Sequence, residues 1–222
     1  MRLEEFRNLL KQQGLLDNIR LQKAIELTTS AFKGLKRDDG TDILNQHLLP
    51  MTASLIEYYV LEGGKIDIDV LISSLLHDIG EDVKGFNLKE LKKTFGEKVY
   101  ETVVALTKHK LQKRVGYGIY ENRIKYNMDY YNQIRISSNE VKLVKAADRL
   151  NNLKCAYTNP DRNKVSNYIR ETEKIYFPIF SGLPFFHRQI RQELIRLREY
   201  QGHVSLPSTK EIKRNSFEKN DK

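Results

Sequence analysis

Apolar residues recur at helical intervals along most of this chain, and they do not alternate with polar residues over any long stretch. Recurrence at three and four residues places side chains on one face of a helix, whereas strict alternation indicates a half-buried strand. The pattern predicts helices over 3–13, 19–33, 43–61, 68–79, 97–107 and 138–155, with a short one between 87 and 96 and two more after 160 that Gly182 and Pro184 divide. Only 63–68 is compatible with a short β element. We therefore expect an all-α fold, a single helical bundle.

Glycine, proline and short polar residues predict where some of these helices begin and end. Gly80 is expected to disturb or end the fourth helix. Ser137 with Glu140 has the spacing of a capping box, and Asn159-Pro160 fits an N-cap followed by proline at the first helical position.

The length and the single cysteine narrow the class of protein. A chain of 222 residues suits one domain, or one domain plus a tail. Cys155 is the only cysteine, so the chain forms no intramolecular disulfide and has no cysteine-based zinc site. No apolar run reaches the ~18 residues of a spanning helix, and charges interrupt residues 1–16, unlike a secretory signal. We expect a cytoplasmic protein without a membrane segment.

Apolar periodicity ends near residue 203. We expect a domain over 1–203 and a flexible, mobile tail over 204–222. The segment 108–136 is rich in tyrosine and basic residues; its spacing suits a helix from about 118, but a mobile segment over a site fits equally well.

The net charge of +9 has three interpretations. It fits a surface that attracts polyanions such as RNA, or a pocket for a highly phosphorylated small molecule. A solvated basic surface is the most common explanation of such a charge.

The segment 77–82 carries the strongest chemical signal. His77, Asp78, Glu81 and Asp82 directly follow the charge-free run LISSLL. If the helix continues, the acidic pair lies one turn beyond His77 and Asp78 on the same side. Three carboxylates so close together repel one another, and a bound cation is the simplest way to relieve that repulsion.

Two distant residues fit the same site. His47 precedes the apolar stretch LLPMTASLI, and Asp148 lies in a predicted helix with Asn152 four residues later on the same face. Two imidazoles and two carboxylates suit Mn²⁺, Fe²⁺ or Zn²⁺ better than Ca²⁺. Each residue alone has a plainer explanation, such as a hydrogen-bonded core histidine or, for Asp148-Arg149, a surface ion pair. The ordered set carries the metal hypothesis.

The order of these residues resembles that of the HD phosphohydrolase superfamily. In detail the chain is similar to the hydrolase domain of the RelA/SpoT homologues, and in particular to the small alarmone hydrolases. The matching segments are LLHDIGED, LKKTFGEKVYETVVALTK, VKLVKAADRLNNLK and RETEKIYFPIF, which together cover roughly residues 30–180 in the same order.

The resemblance implies an all-helical fold, Mn²⁺ as the usual metal, and hydrolysis of the 3′-pyrophosphate of guanosine tetra- and pentaphosphate. It assigns the metal ligands to His47, His77, Asp78 and Asp148. It assigns handling of the attacking water to Glu81 and Asp82. Arg37 matches the arginine of the family's first motif, and Asn152 matches an asparagine that contacts the nucleotide. Among basic residues of the same helix, Lys142, Lys145 and Arg149 are further candidates for phosphate binding.

Some positions depart from the family pattern. Leu44 and Leu48 flank His47 where the family usually has tyrosine and proline, and Asp38 follows Arg37 where a basic residue is frequent. In the family these positions lie near the nucleoside, so the resemblance leaves guanine versus adenine open. The remaining residues are too few for an alarmone synthetase domain.

Three alternatives stay open. The enzyme could act on another nucleotide with a 2′- or 3′-phosphate, such as an adenosine alarmone or NADPH. The chain could be a binding module without catalysis, although Glu81 and Asp82 argue against this. It could bind RNA through 108–131, where no recognised RNA-binding motif is present. We expect a small nucleotide substrate and neither a membrane nor a specific nucleic-acid partner; the sequence does not fix the oligomeric state.

Overall fold

The computed structural model describes residues 1–37, 39–108, 121–159 and 161–200, without the side chains of 121–126 and 158. The expectations for Asp38, Pro160 and the tail 204–222 lie outside these residues.

The described residues form helices joined by short turns, which confirms the all-α fold. The α-helices are α1 (Leu3–Gln12), α2 (Ile19–Ala31), α3 (Leu49–Leu61), α4 (Ile68–Leu76), α5 (Ile79–Asp82), α6 (Lys89–Phe95), α7 (Glu97–Leu106), α8 (Glu121–Ile136), α9 (Asn139–Cys155), α10 (Arg162–Glu171), α11 (Phe177–Ile179) and α12 (Pro184–Tyr200). π-Helical turns at Leu44–Leu48 and Thr172–Tyr176 lead into α3 and α11. The described part has no strand: 63–68 forms none, and only an isolated bridge joins Lys36 to Asp42.

Helix α9 lies at the centre of the bundle. It packs against α3, α4, α7, α8 and α12. Between Val141 and Leu153 only Lys142 and Asn152 are not fully buried. A helix surrounded in this way is usually apolar all round, yet α9 also buries Lys145, Asp148, Arg149 and Asn151. Polar groups at such positions require partners, because burying them unpaired is costly.

The fourth helix ends earlier than its apolar pattern predicted. Helix α4 stops at Leu76, and the chain turns at His77 and Asp78 before α5 begins. Gly80 does not end a helix but lies inside α5. A Cβ atom there would come within 3.1 Å of the Thr107 side chain and 3.2 Å of Leu88, so glycine permits the close packing of α5 on the end of α7.

Two predicted N-caps are displaced along the chain. The side chain of Ser138, not Ser137, accepts the Val141 N–H at the start of α9. The Ser137 hydroxyl instead donates to the backbone of the preceding helix. Asp161, not Asn159, caps α10, and the Asn159 side chain accepts the Asp161 N–H. Neighbouring polar residues offer equivalent caps, and the path of the chain selects between them.

The tyrosine-rich region contributes to the core. Within α8, Tyr130, Tyr131 and Ile134 are buried, and the Tyr130 hydroxyl donates to the Leu106 carbonyl at 3.0 Å. This part is therefore packed helix and not a cover over the site. Tyr117 and Tyr120 lie outside the described residues. Across the described ranges, helices long and apolar enough to traverse a bilayer are absent.

Changing the two serines before α9 tests which one caps it. Ser138→Ala should lower the free energy of unfolding by about 0.5–2 kcal/mol, the usual cost of a lost N-cap. Ser137→Ala, which removes an exposed hydroxyl bonded back to its own helix, should change it much less. Urea unfolding of both variants at fixed metal concentration measures the difference. The reverse order of effects would contradict the observed cap.

Candidate metal centre

Four side chains from three segments converge at one end of the buried core. His47 comes from the π-helical turn before α3, His77 and Asp78 from the turn after α4, and Asp148 from α9. The His47 Nε2 atom lies 3.4 Å from His77 Nε2 and 3.4 Å from Asp78 Oδ2. It lies 3.6 Å from Asp148 Oδ1, and His77 Nε2 lies 3.1 Å from Asp78 Oδ2. The four residues predicted as ligands are thus brought together.

The local backbone explains how neighbouring residues can point at the same place. Adjacent side chains on a regular helix diverge. Because α4 ends at Leu76 and Asp78 has φ −93° and ψ 1°, His77 and Asp78 converge instead. His47 lies in a π-helical turn, which widens the backbone and is frequent at functional sites.

The spacing of these atoms fits a single metal ion. Nitrogen and oxygen ligands about 2.0–2.2 Å from a shared ion lie roughly 3.0–3.5 Å from one another, close to the observed separations. His47, His77 and Asp78 form a cluster of potential ligand atoms within 4.8 Å of one another. With two imidazoles and carboxylate oxygens, the donor set suits a borderline divalent ion.

The electrostatics of the cluster also favour a cation. Burial disfavours the charged form of His77, but Asp78 and Asp148 outweigh it and raise the pKa of His77 to about 9. Burial alone would raise the pKa of the Asp148 carboxyl, but the ammonium group of Lys145 and the nearby imidazoles hold it well below its usual range. His77 and His47 likewise hold the pKa of Asp78 low. Without metal, the proton on His77 offsets part of the negative charge.

Three of the candidate ligands, His47, His77 and Asp148, have outer partners. His47 Nδ1 lies 2.7 Å from Asn151 Oδ1. His77 Nδ1 lies 2.9 Å from the Ser74 carbonyl oxygen. Asp148 Oδ2 accepts from Lys145 Nζ at 2.6 Å, and Asp148 Oδ1 accepts from the Asn152 amide at 2.5 Å. Partners of this kind orient metal ligands.

Three members of the cluster, His47, Asp78 and Asp148, line an open cavity of about 360 Å³. Among the described residues, six basic side chains line it: Lys36, Arg37, Lys108, Lys145, Arg149 and Lys164. Glu81 and Asp82 line the same cavity, beside Asp78. A metal centre that opens onto a cationic cavity with free volume can accommodate an anionic ligand larger than water.

Glu81 and Asp82 differ in their surroundings. Glu81 Oε1 accepts the Lys108 backbone N–H at 2.6 Å. Burial, and then the charge of Asp78, raise the pKa of the Glu81 carboxyl. Asp82 is exposed at the rim. The stacking of both residues on a continuous helix, expected from their spacing, is wrong because α4 is interrupted at His77.

Arg37 reaches the centre through Asn152. One guanidinium nitrogen of Arg37 donates to Asn152 Oδ1 at 2.7 Å. Asn152 in turn donates to Asp148, so one amide links the arginine to a candidate ligand. The expectation that Asn152 shares a face with Asp148 is confirmed by this contact.

The structure does not bring every basic candidate to the cavity. Lys145 and Arg149 line it, whereas Lys142, nearer the start of α9, is not among its lining residues. The guanidinium of Arg149 stacks on Tyr168 and Tyr176, at 4.5 Å and 4.0 Å from the ring centres, and pairs with Glu171 at 3.3 Å.

Several lining residues carried no sequence signal that we used. Lys164 and Tyr168 belong to a segment without a motif, and Lys108 is the last residue of the matched segment LKKTFGEKVYETVVALTK, which assigned it no role; only the fold brings the three to the cavity. Asn151 had a usable signal, because it follows Asp148 by one helical turn inside the matched segment VKLVKAADRLNNLK.

An all-helical bundle that holds two histidines and two aspartates at the wall of a cavity defines an HD-type metal protein. The chain belongs to the HD domain family, whose model matches residues 24–183. HD domains depend on a divalent metal, and the cluster described above lies within the matched range.

Named relatives come from enterobacteria. The chain is 30% identical over 181 residues to the bifunctional (p)ppGpp synthase/hydrolase SpoT of Escherichia coli K12. It is equally similar to the guanosine-3′,5′-bis(diphosphate) 3′-pyrophosphohydrolases of E. coli O157:H7 and Shigella flexneri. In each case the match covers 80% of this chain but only 23% of the relative.

A solved structure has the same fold. It is described as a metazoan ortholog of SpoT that hydrolyses ppGpp. The two superpose with a TM-score of 0.65 at 21% identity, over 82% of this chain and 96% of the other. At this level of identity the likeness establishes the fold.

Metal binding should release a proton and therefore strengthen as the pH rises. The pKa of His77 is raised to about 9 in the metal-free centre, so the imidazole is protonated at neutral pH, while a ligand nitrogen must be neutral. For one released proton, apparent Mn²⁺ affinity should rise about tenfold per pH unit below that pKa. Calorimetry between about pH 6.5 and 8.5, in buffers of different ionisation enthalpy, measures both the Mn²⁺ affinity and the number of protons released. An affinity that does not change with pH would contradict the protonated His77.

Proposed function

We propose that the chain hydrolyses the 3′-pyrophosphate of guanosine tetra- and pentaphosphate, releasing pyrophosphate and GDP or GTP, with Mn²⁺ as its metal. The observation that carries the proposal is the combination, around one cavity, of the cluster of two histidines and two aspartates, an acidic pair and six basic side chains. The activities named for the enterobacterial relatives support the choice of substrate.

The metal centre and the acidic pair supply different parts of the reaction. A divalent ion held by His47, His77, Asp78 and Asp148 would lower the pKa of a water ligand and neutralise phosphate charge. The mixed nitrogen and oxygen donors suit Mn²⁺. Water adds to the phosphorus attached to the ribose 3′-oxygen, and the bond between that phosphorus and the 3′-oxygen breaks. The released 3′-oxygen takes up a proton, so the products are pyrophosphate and a nucleotide with a free 3′-hydroxyl.

Glu81 is the better placed of the two carboxylates to take a proton from the attacking water and to give one to the released 3′-oxygen. Its raised pKa brings it closer to neutral pH, where a group can both accept and return a proton. Asp82 is exposed at the rim of the cavity, where it can exchange protons with solvent. We assign proton transfer to this pair, with Glu81 as the principal residue.

The basic residues hold the anionic substrate. Arg37 donates to the Asn152 amide, which in turn donates to Asp148. This position beside the metal centre suits a guanidinium that orients the reacting diphosphate. Burial, and then the charge of Lys145, lower the pKa of the Lys108 amine to about 8, so the group is still largely cationic at neutral pH. Lys145, paired to Asp148, balances the charge of the centre and is a second candidate for a phosphate contact.

The proposed reaction predicts both a product pattern and a metal requirement. With Mn²⁺, ppGpp should give GDP and pyrophosphate in equal amounts, and ATP with GDP should give no alarmone. Chelation should abolish the activity, and Mn²⁺ should restore it more fully than Ca²⁺, which prefers all-oxygen sites. Chromatography of the products from a panel of ppGpp, adenosine alarmones and NADPH measures substrate choice.

Other outcomes of the same panel have definite meanings. Release of single phosphates would indicate a phosphatase of the NADPH type. Failure to cleave any of these nucleotides would favour a binding module. For the RNA-binding alternative, Tyr130 and Tyr131 are buried and so are not available for base stacking; the side chains of the other tyrosines of 108–131 lie outside the described residues.

Amide substitutions should separate proton transfer from metal binding. Glu81→Gln and Asp82→Asn keep the side-chain size but remove the basic carboxylate. Metal content should stay near one ion per chain, while turnover falls about 10²–10⁴-fold for the more important residue. Asp78→Asn should lose metal as well as turnover. Metal analysis and kinetics on the same preparations make the comparison, and near-normal turnover in both amide variants would show that the pair is only structural.

A further inference from the structure

The two histidines of the metal centre are oriented by different kinds of partner. His77 Nδ1 lies 2.9 Å from the backbone carbonyl of Ser74, one turn earlier. His47 Nδ1 lies 2.7 Å from Oδ1 of Asn151, a residue 104 positions away in sequence. The first partner is provided by local backbone geometry, whereas the second depends on the identity of one side chain.

The hydrogen bond of His47 determines which ring nitrogen can hold a metal. A neutral imidazole carries its proton on one nitrogen and a lone pair on the other. His47 Nε2 faces His77, Asp78 and Asp148, so a neutral ring that binds a metal through Nε2 carries its proton on Nδ1. The Asn151 oxygen then accepts a hydrogen bond from that N–H, and Asn151 is itself buried at 7% exposure. Because the site is buried, solvent water has little access to replace the Asn151 oxygen as the acceptor.

We propose that Asn151 is a positioning residue of the metal centre: it fixes the tautomer and ring orientation of His47 and thereby sets the metal affinity. The inference rests on the metal centre and not on the choice of nucleotide. It also explains why a neutral amide suits this position. Asp78, Asp148 and Glu81 already supply three carboxylates, and an amide oxygen accepts the hydrogen bond of the imidazole N–H without adding a fourth.

Helix α9 gains a second role from this contact. It provides Asp148 as a ligand and, one turn later, the residue that orients His47 on another segment. The separation between the Asp148 carboxylate and the His47 imidazole, 3.6 Å at the closest pair of atoms, is therefore set largely by one rigid element.

Titration of the full chain with Mn²⁺ alone, without nucleotide, tests the proposal. Asn151→Leu removes the acceptor at similar size and should weaken Mn²⁺ binding about 10–100-fold, the usual effect of losing an outer partner of a metal ligand. Asn151→Asp keeps the acceptor and should bind Mn²⁺ at least as tightly as the parent at about pH 8. The visible spectrum of bound Co²⁺ should change in the leucine variant and stay close to that of the parent in the aspartate variant.

A matched control separates positioning from a general loss of stability. Thr28 is buried and does not line the cavity, and its hydroxyl lies 2.7 Å from the Ala24 carbonyl and 3.3 Å from the Leu75 carbonyl. Thr28→Val removes this buried hydroxyl and its hydrogen bonding, and should lower stability without weakening Mn²⁺ binding. Thermal unfolding of the metal-free variants shows that they are folded. If Asn151→Leu does not fold, Asn151→Ala takes its place with the same expected loss.

The kinetics supply a second signature. If ppGpp is cleaved, the turnover lost in Asn151→Leu at limiting Mn²⁺ should return at saturating Mn²⁺, which would not occur for a residue that acts on the substrate. Parent-like Mn²⁺ affinity in folded Asn151→Leu, or equal weakening in Asn151→Asp, would overturn the proposal. Absence of Mn²⁺ binding by the parent would overturn the metal centre itself, whereas failure to cleave ppGpp with intact Mn²⁺ binding would overturn only the substrate assignment.

Discussion

The burial of Asp148 in the central helix is the constraint on which the rest of the site depends. A carboxylate at 5% exposure in a helical core is costly unless it is paired. Here Lys145 and Asn152 bond its two oxygens, and two imidazoles lie within 4.0 Å. These contacts account for an ionised group where the surrounding helices supply mainly apolar surface. Substituting Asp148 would leave Lys145 buried without its partner.

Much of the site was predictable because its residues follow apolar runs or lie within one helix. The charge-free run LISSLL predicts a buried helix, so the polar residues directly after it were expected to face a pocket or to be paired. Asn152 follows Asp148 by four positions, a spacing that places both on one helical face in any structure. The all-α fold followed from the helical spacing of apolar residues along most of the chain.

The remaining features depend on three-dimensional packing, which local patterns do not encode. The turn at His77 and Asp78 arises where α5 packs on the end of α7, through Gly80 and Thr107, and no periodicity reveals that contact. Ser137 and Ser138 are chemically equivalent caps, and only the path of the chain distinguishes them. Lys108 reaches the cavity because its backbone N–H is bound by Glu81. Lys142 and Lys145 share one helix, yet only Lys145 lines the cavity.

The sequence separation of the contacts in the site has a consequence for folding. Arg37 contacts Asn152 across 115 positions, and His47 contacts Asn151 across 104. Contacts between such distant residues require closure of long loops and form late relative to the local helical turns. The candidate ligand set therefore comes together only when α3, α4 and α9 have docked. A metal ion that binds the completed set stabilises the whole bundle through mass action, so occupancy of the site reports on global folding and not on the order of any one helix.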